Sequence, residues 1–239
     1  MRYYYDLHIH SCLSPCGDGD MTVNNIAGMS ALKGLQIAAL TDHNSCKNCP
    51  AFFTACRRQG IVPVAGMELT TAEEIHLVCL FEHLEDAMAF DERVEEFLPR
   101  IKNRPDIFGR QQILDAEDNV ISEEDRLLIN ATTLMLEDAW RLCEEYGGVC
   151  FPAHVDRDTN GIIAVLGALP PEPPFVYIEL HDGSFDTDRD DLRGRSVLVN
   201  SDAHYLYDIN EAENFLELPE VASSADVRKN LFTLLRKGQ

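Results

Sequence analysis

Seven short apolar runs punctuate the chain, at residues 3–9, 36–41, 61–66, 75–81, 148–153, 175–180 and 196–200. Most are continuously apolar and do not alternate, which is the pattern of parallel strands covered on both faces. Helical stretches lie between several of them. Thr22 has the chemistry of a cap for a helix over 22–32 that closes at Gly34, and Pro50 opens a helix over 50–59 that ends at Gly60. Strand, helix, strand in repetition calls for a parallel α/β sheet or barrel. At 239 residues the expectation is one compact unit with a sizeable core.

One connection is too long for a crossover helix. Residues 82–147 span 66 positions, so something extra is inserted there. Stretches 83–101 and 131–146 read as helices and 102–130 as looped, which makes a mainly helical insert over about 82–147; the plainer alternative is a helix pair packed outside the barrel. The proline-rich link 170–174 stiffens the entry to the next strand.

With 20 basic against 41 acidic residues the net charge is −21. Such a surface repels polyphosphate backbones and disfavours a binder of long nucleic acid. The first residues lack the layout of a signal peptide and no apolar run approaches a bilayer span, so the expectation is a cytoplasmic protein with no membrane partner. In that compartment its eight cysteines are thiols or metal ligands before they are disulfides.

The histidines fall at strand ends. His8 and His10 are two apart and share one strand face, and Asp202 and His204 repeat that spacing after the last run. Between them come Asp42-His43 after the second run, Glu68 after the third, His76 within the fourth and His154 after the fifth. Any one of these alone is an ordinary loop residue. Together, at successive C-terminal strand ends of a barrel, they converge on one face as a ligand set for zinc, manganese or iron.

The motifs Asp6-Leu7-His8-Ile9-His10-Ser11, Thr41-Asp42-His43-Asn44, Gly66-Met67-Glu68-Leu69, Ile75-His76-Leu77, Pro152-Ala153-His154-Val155-Asp156-Arg157 and Asn200-Ser201-Asp202-Ala203-His204 resemble, in order, the PHP (polymerase and histidinol phosphatase) family. The resemblance implies an α/β fold, a distorted (β/α)7 TIM-like barrel, with two or three divalent ions at the C-terminal strand ends and hydrolysis of phosphoesters. It further implies that His8, His10, Glu68 and Asp202 surround a first metal, and that Glu68 bridges to a second held by His76 and His154. A third would take His43, His204 and a residue from the loop after His10. That loop departs from the family pattern. Counting back from Thr22 selects Asp18, with Asp20 and Cys16 as further candidates. Arg157 matches an arginine that contacts phosphate in family members, and its forked guanidinium suits two phosphate oxygens. His181 matches a polar, substrate-facing position.

Cys12 and Cys16 follow His10, and Cys46 and Cys49 follow His43, so the two loops should be neighbours at one barrel face, where four thiolates could bind a structural zinc or respond to oxidation, ordinary buried thiols being the plainer alternative. Cys56, Cys79, Cys143 and Cys150 sit in apolar contexts and read as core.

The leading reading is metal-dependent hydrolysis of a small phosphoester by a hydroxide shared between metals, with Glu68, Asp202 and Arg157 as the catalytic residues. A C–N hydrolase of amidohydrolase type is a second reading, but none of the five lysines lies in an expected strand to bridge the ions. A non-enzymatic metal- or redox-sensing module is a third. Within the resemblance the substrate is a nucleotide, histidinol phosphate or a short oligonucleotide end, with the insert deciding among them. Divalent ions would outweigh Asp18, Glu68 and Asp202, leaving a cationic pocket inside an acidic shell.

Overall fold

The computed structural model describes residues 1–181, 183 and 185–237. In chain order it contains β1 (Arg2–Asp6), α1 (Val23–Leu32), β2 (Ile37–Leu40), α2 (Cys49–Gln59), β3 (Val62–Thr70), β4 (His76–Phe81), α3 (Leu84–Val94), α4 (Pro105–Phe108), β5 (Gln112–Leu114) and β6 (Val120–Glu123). There follow α5 (Leu136–Glu145), β7 (Val149–Pro152), α6 (Ile162–Leu166), β8 (Tyr177–Leu180), β9 (Ser196–Val199), β10 (Phe215–Glu217) and α7 (Ser224–Leu235). All seven apolar runs are strands. The Thr22 side chain caps α1 by accepting from Asn25 N, and Gly60 ends α2 at φ 73°, in the left-handed region that glycine adopts without penalty.

The fold is mixed α/β, with a curled six-stranded sheet in the order β10-β1-β2-β3-β4-β7 and a separate β8-β9 pair. An all-parallel sheet is not what forms. β1, β2 and β3 run parallel, as do β8 and β9, but β4 is antiparallel to both β3 and β7. The reason is local. β3 continues past Gly66 to Thr70, leaving only Thr71 to Ile75 before β4, and a parallel crossover needs a dozen residues or more. Thr71 N donates to Ile75 O at 2.8 Å and Glu74 takes φ 66° to close this hairpin.

Single backbone bonds extend the sheets around the site end. Val155 N donates to Glu179 O at 2.9 Å, joining the chain after β7 to β8, and His10 N donates to Ala203 O at 3.0 Å, joining the chain after β1 to that after β9. One sheet face packs on α1, α2, α3 and α5 through residues such as Leu40, Met67, Phe81, Phe52, Phe90 and Leu142. The other gathers Tyr5, Leu7, Val64, Leu80 and Phe151 with the Val227, Leu231, Phe232 and Leu235 stripe of α7. α7 also covers the end remote from the site: Arg228 donates to Glu82 O and Arg236 to Gly147 O, beside the far ends of β4 and β7.

Residues 82–147 hold α3, α4, the β5–β6 hairpin and α5. The hairpin lies where a loop was expected. Its turn is built by Asp115, whose Oδ1 accepts from Glu117 N and Asn119 N, both at 2.9 Å. This region is tied to the segment after β2: Asn44 Nδ2 donates to Leu128 O at 2.7 Å, and Asn48 bonds to Gln112 O and Leu114 N.

Candidate metal centre

Glu68 is 1% exposed and stands towards the C-terminal end of β3. Five imidazoles surround its carboxylate: His76 Nδ1 at 2.7 Å, His43 Nδ1 at 2.9 Å, His154 Nε2 at 3.1 Å, His10 Nε2 at 3.2 Å and His8 Nε2 at 3.4 Å. Asp202, from the loop after β9, adds a second buried carboxylate at 3.0 Å from His10 Nε2 and 3.3 Å from His8 Nε2. His154 at φ 28° and Asp202 at φ 50° hold backbone conformations costly for residues with a Cβ, and the surrounding bonds keep them there.

A ring of supporting groups fixes which nitrogen of each leading histidine faces inward. His8 Nδ1 donates to Glu179, with Oε1 at 2.9 Å and Oε2 at 3.1 Å, so Nε2 is turned to the centre. His10 Nδ1 donates to Ser14 Oγ at 2.9 Å, and that hydroxyl donates in turn to Asp42 Oδ1 at 2.7 Å. This is how proteins orient and strengthen imidazole ligands. Sequence reasoning missed Glu179 and Ser14, and it placed Asp42 among the converging strand-end residues without this supporting role. The signal for Glu179 is an acid in the middle of an apolar strand, Tyr177-Ile178-Glu179-Leu180, where a charge is retained only with partners.

The donor atoms fit divalent cations. His8, His10, Glu68 and Asp202 form one group whose ligand atoms all lie within 4.8 Å of one another; His43, Glu68 and His76 form a second, and His10, His43 and His204 a third. His154 stands beside the second through Glu68. His8 Nε2 and His10 Nε2 are 3.1 Å apart, a gap that holds at most one proton. Glu68 Oε2 and the Nδ1 atoms of His43 and His76 are buried without a hydrogen-bond partner, although they crowd together. Buried polar atoms converging without hydrogen-bond geometry are what a ligand set presents to a cation.

Electrostatics agree. Burial alone would push the His8, His10 and His43 rings down, yet neighbouring carboxylates outweigh it. His10, bonded to Asp202 and Glu68, is raised to about 9; His43, beside Glu68, is also raised to about 9; and His8 is held well above its ordinary value by Glu179, Glu68 and Asp202. Glu68 is well below the usual carboxylate range despite burial, held there by His76, His8 and His43. His204 is pushed down to about 3 by burial and by His10, whose ring it stacks on at 4.3 Å.

Asp18 does not join these groups among the described residues. Its Oδ1 accepts from Asp20 N at 2.9 Å, making a local turn, and its N–H donates to His204 O. The turn before it needs Gly17, where a Cβ would sit 2.2 Å from Ser11 O, and it presents the exposed Cys16 thiol to the His43 side chain instead. The two expected thiol pairs also part company: Cys46 and Cys49 are buried with their thiols toward Gly66 O at 3.2 and 3.7 Å, while Cys16 is at the mouth of the site.

Beside the centre opens a cavity of about 560 Å³ lined by Cys16, Arg157, His181, Asp202, His204 and Tyr205, among others. Arg157 Nη1 donates to Asp202 Oδ2 at 2.5 Å and Nη2 contacts His181 Nδ1 at 3.2 Å, so the guanidinium lies between the ligand group and the open pocket.

The PHP domain family matches residues 6–146. The chain belongs to the PHP domain family. An error-prone DNA polymerase of Symbiobacterium thermophilum is 35% identical over 77 residues, which are 32% of this chain and 7% of the polymerase. Among solved structures, the lesion-specific endonuclease Q of Pyrococcus furiosus superposes with a TM-score of 0.66 at 19% identity, over 100% of this chain and 57% of the endonuclease. An endonuclease Q complex with a 27-mer duplex carrying an abasic lesion gives 0.67 at 18% identity, over 99% of this chain and 57% of that one. A protein of Bifidobacterium adolescentis described as a metal-dependent phosphoesterase gives 0.54 at 15% identity, over 96% of each chain. The PHP chain thus spans a small part of the polymerase and just over half of the endonuclease, and it shares its fold with the solved structures. No helix among its described residues is long and apolar enough to cross a membrane.

Proposed function

We propose that this PHP chain is a metal-dependent phosphoesterase that acts on a phosphate group presented in the Arg157 pocket. The observation that carries the reading is Glu68, a buried carboxylate within 3.4 Å of five imidazole nitrogens, with Oε2 left without a hydrogen bond. His8, His10, Glu68 and Asp202 would hold one ion, and Glu68, His76 and His154, with His43 close by, a second. A third ion would lie among His10, His43 and His204, with Cys16 in place of Asp18 as the nearest loop donor. Bound there, zinc, manganese or iron ions supply a nucleophile from water at neutral pH and neutralise charge on phosphate oxygens.

The chain's own residues do the rest. Glu179 and the Ser14–Asp42 pair keep the His8 and His10 rings aimed inward, and Glu68 is shared between ligand groups. Arg157 offers its second nitrogen to a phosphate oxygen while its first holds Asp202 in place, a fixed cation where charge develops. With a glutamate in the bridging position, and with Lys33, Lys47, Lys102, Lys229 and Lys237 all outside the strands, phosphoester chemistry is favoured over C–N hydrolysis.

Small phosphorylated compounds suit the acidic surface. The fold of a protein that engages a 27-mer duplex removes the blanket exclusion of long nucleic acid, so a strand end or a lesion entering the pocket belongs in the same substrate range. We read the chain as one barrel-like PHP unit in which 82–147, tied to the loop after β2, shapes the approach to the site.

The test is Glu68→Gln, assayed for metal content and for turnover of aryl phosphate monoesters and diesters. Metal content should fall by at least one ion per chain relative to the wild type and turnover by at least about 10²-fold, the scale of losing a group that stabilises transition-state charge. Wild-type turnover in the metal-depleted variant overturns the reading.

A further inference from the structure

Three thiols meet in the core, away from the histidine centre. Cys79 lies in β4, Cys143 in the last turn of α5 and Cys150 in β7, and their Sγ atoms all fall within 4.8 Å of one another. Cys79 and Cys150 face each other directly across the antiparallel β4–β7 pair, and the end of α5 brings Cys143 over them. All three are buried, at 0%, 0% and 6% exposure, and none is in a disulfide.

The backbone is shaped to admit this arrangement. At Gly148, which leads into β7, a Cβ would sit 2.6 Å from Cys143 Sγ and 2.7 Å from Phe81 Cε1, closer than real contacts allow. Any other residue there would displace the thiol. The hydrogen-bond contact of the Cys79 thiol among the described residues is Leu77 O at 3.9 Å, at the outer limit for sulfur. Three donors of one kind therefore share a point with little to bond except each other.

We infer that Cys79, Cys143 and Cys150 form a second metal site for one thiophilic d10 cation held by three sulfurs, copper(I) before zinc(II), whose structural sites take four ligands. The set contains no oxygen or nitrogen ligand, so it selects a soft ion, whereas the histidine–carboxylate centre suits harder ones. With metal–sulfur bonds of about 2.3 Å, three sulfurs in a plane around the ion stand about 4.0 Å apart. Closing from at most 4.8 Å is a matter of side-chain adjustment. On binding, three S–H protons leave to solvent and three sulfur–metal bonds form, with no oxidant or reductant needed. The ion would tie β4, β7 and α5 together. Cys79 is three residues from His76, about 10 Å along the strand, so the same two strands that lead to His76 and His154 would be clamped from behind.

This inference does not depend on the phosphoesterase reading. The experiment uses the full-length chain, reduced and stripped of metal, with Cys16→Ser removing the exposed thiol. Cadmium(II) is the probe, added both to the native protein and during refolding from urea, because the site is enclosed. A thiolate-to-cadmium charge-transfer band in the ultraviolet should saturate at one equivalent in at least the refolded sample. It should be lost at one equivalent in Cys143→Ala and in Cys150→Ala. Cys143→Ser, which keeps the side chain's shape, separates loss of a ligand from loss of packing, and circular dichroism checks the fold of each variant. His43→Ala should leave the band intact. Absence of the band in both preparations, its survival in folded Cys143→Ser, or its loss in Cys49→Ala alone would overturn the assignment.

Discussion

Replacing Glu179 by glutamine changes two heavy atoms' chemistry and almost no volume, yet the structure leaves the amide nowhere to put its NH2. Glu179 Oε1 accepts from His8 Nδ1 and from His154 N, both at 2.9 Å; Oε2 accepts from His8 Nδ1 at 3.1 Å and from Asn200 Nδ2 at 2.6 Å. Every neighbour is a donor. With the NH2 at the Oε2 position it meets Asn200 Nδ2, and Asn200 cannot turn over without losing Leu7 N, which donates to its Oδ1 at 2.9 Å. With the NH2 at the Oε1 position it meets the His154 amide. Either way one buried donor loses its acceptor, at about 1–3 kcal/mol, or roughly 5- to 150-fold in an equilibrium. Part of this falls on the orientation of His8 and His154, for which loss of a partner behind an imidazole ligand costs about 10- to 100-fold in metal affinity or activity. Competition of Glu179→Gln with a chelator for zinc or manganese should show a drop in that range, with a lower melting temperature of the metal-free protein. Metal affinity within about twofold of wild type would refute the positioning role, and an affinity intact beside a lowered melting temperature would reduce Glu179 to a structural residue.

Arg157→Ala should lower turnover of phosphoesters by about 10²-fold at saturating metal, the scale of losing one charge-stabilising donor, while the stability of the metal-loaded protein moves little because bound ions would then offset the buried Asp202; steady-state kinetics and a thermal melt check both. Removing the metal should make stability depend on pH in the alkaline direction. His10 and His43 are raised to about 9, so the stability they contribute is complete below about pH 6.5 and is lost as pH rises through about 9. Bound ions displace those protons, so urea melts from about pH 6 to 9.5 should slope downward for the stripped protein and flatten for the loaded one; equal slopes would show that the histidines do not hold the ions. Gly66→Ala should destabilise by about 1–3 kcal/mol through overpacking, since its Cβ would lie 2.7 Å from Cys79 O and 2.8 Å from Leu80 Cδ2, two residues from Glu68. A wild-type denaturation midpoint would contradict that.

The parts of the site legible in the sequence are those where periodicity and chemistry coincide. His8 and His10 share a face because strand side chains repeat every two residues, and Asp202 and His204 follow a strand whose extension bridges to the chain after β1. Other features depend on what two distant segments do together. The antiparallel β4 turns on where β3 stops, and an apolar run cannot show that β3 goes on to Thr70 through Glu68. β10 and α7 are given their places by pairing with β1 and covering the far end, contacts that no local pattern announces. Asp18 was chosen by position in a motif, whereas the conformation of the loop is set by Gly17 closing on Ser11 O. Glu179 was readable in principle, as the one acid inside its strand, but its partners come from β1, β7 and the end of β9.

The phosphoesterase proposal has to reconcile a chain of charge −21 with a phosphate ligand, and the centre offers a way. Glu68 and Asp202 are 1% and 5% exposed, and two carboxylates so deeply buried are tolerable only with positive charge beside them. Arg157 supplies one cation, directly to Asp202. Without metal, the remainder comes from protons shared among the His8, His10 and His43 rings, which the neighbouring carboxylates raise above their ordinary range against the effect of burial. Divalent ions answer the same need with more charge in less space, and the histidines then serve as neutral ligands. In both states the positive charge is concentrated within a few ångströms of Glu68, while the acidic residues spread over the surface are screened from it over about a Debye length of 8–10 Å. A single phosphate at Arg157 would feel the centre, whereas the flanking phosphates of a long strand would feel the surface. On the proposed function, surface charge would act on how much of a polymer can lie along the protein, and the centre would decide whether one phosphate is held.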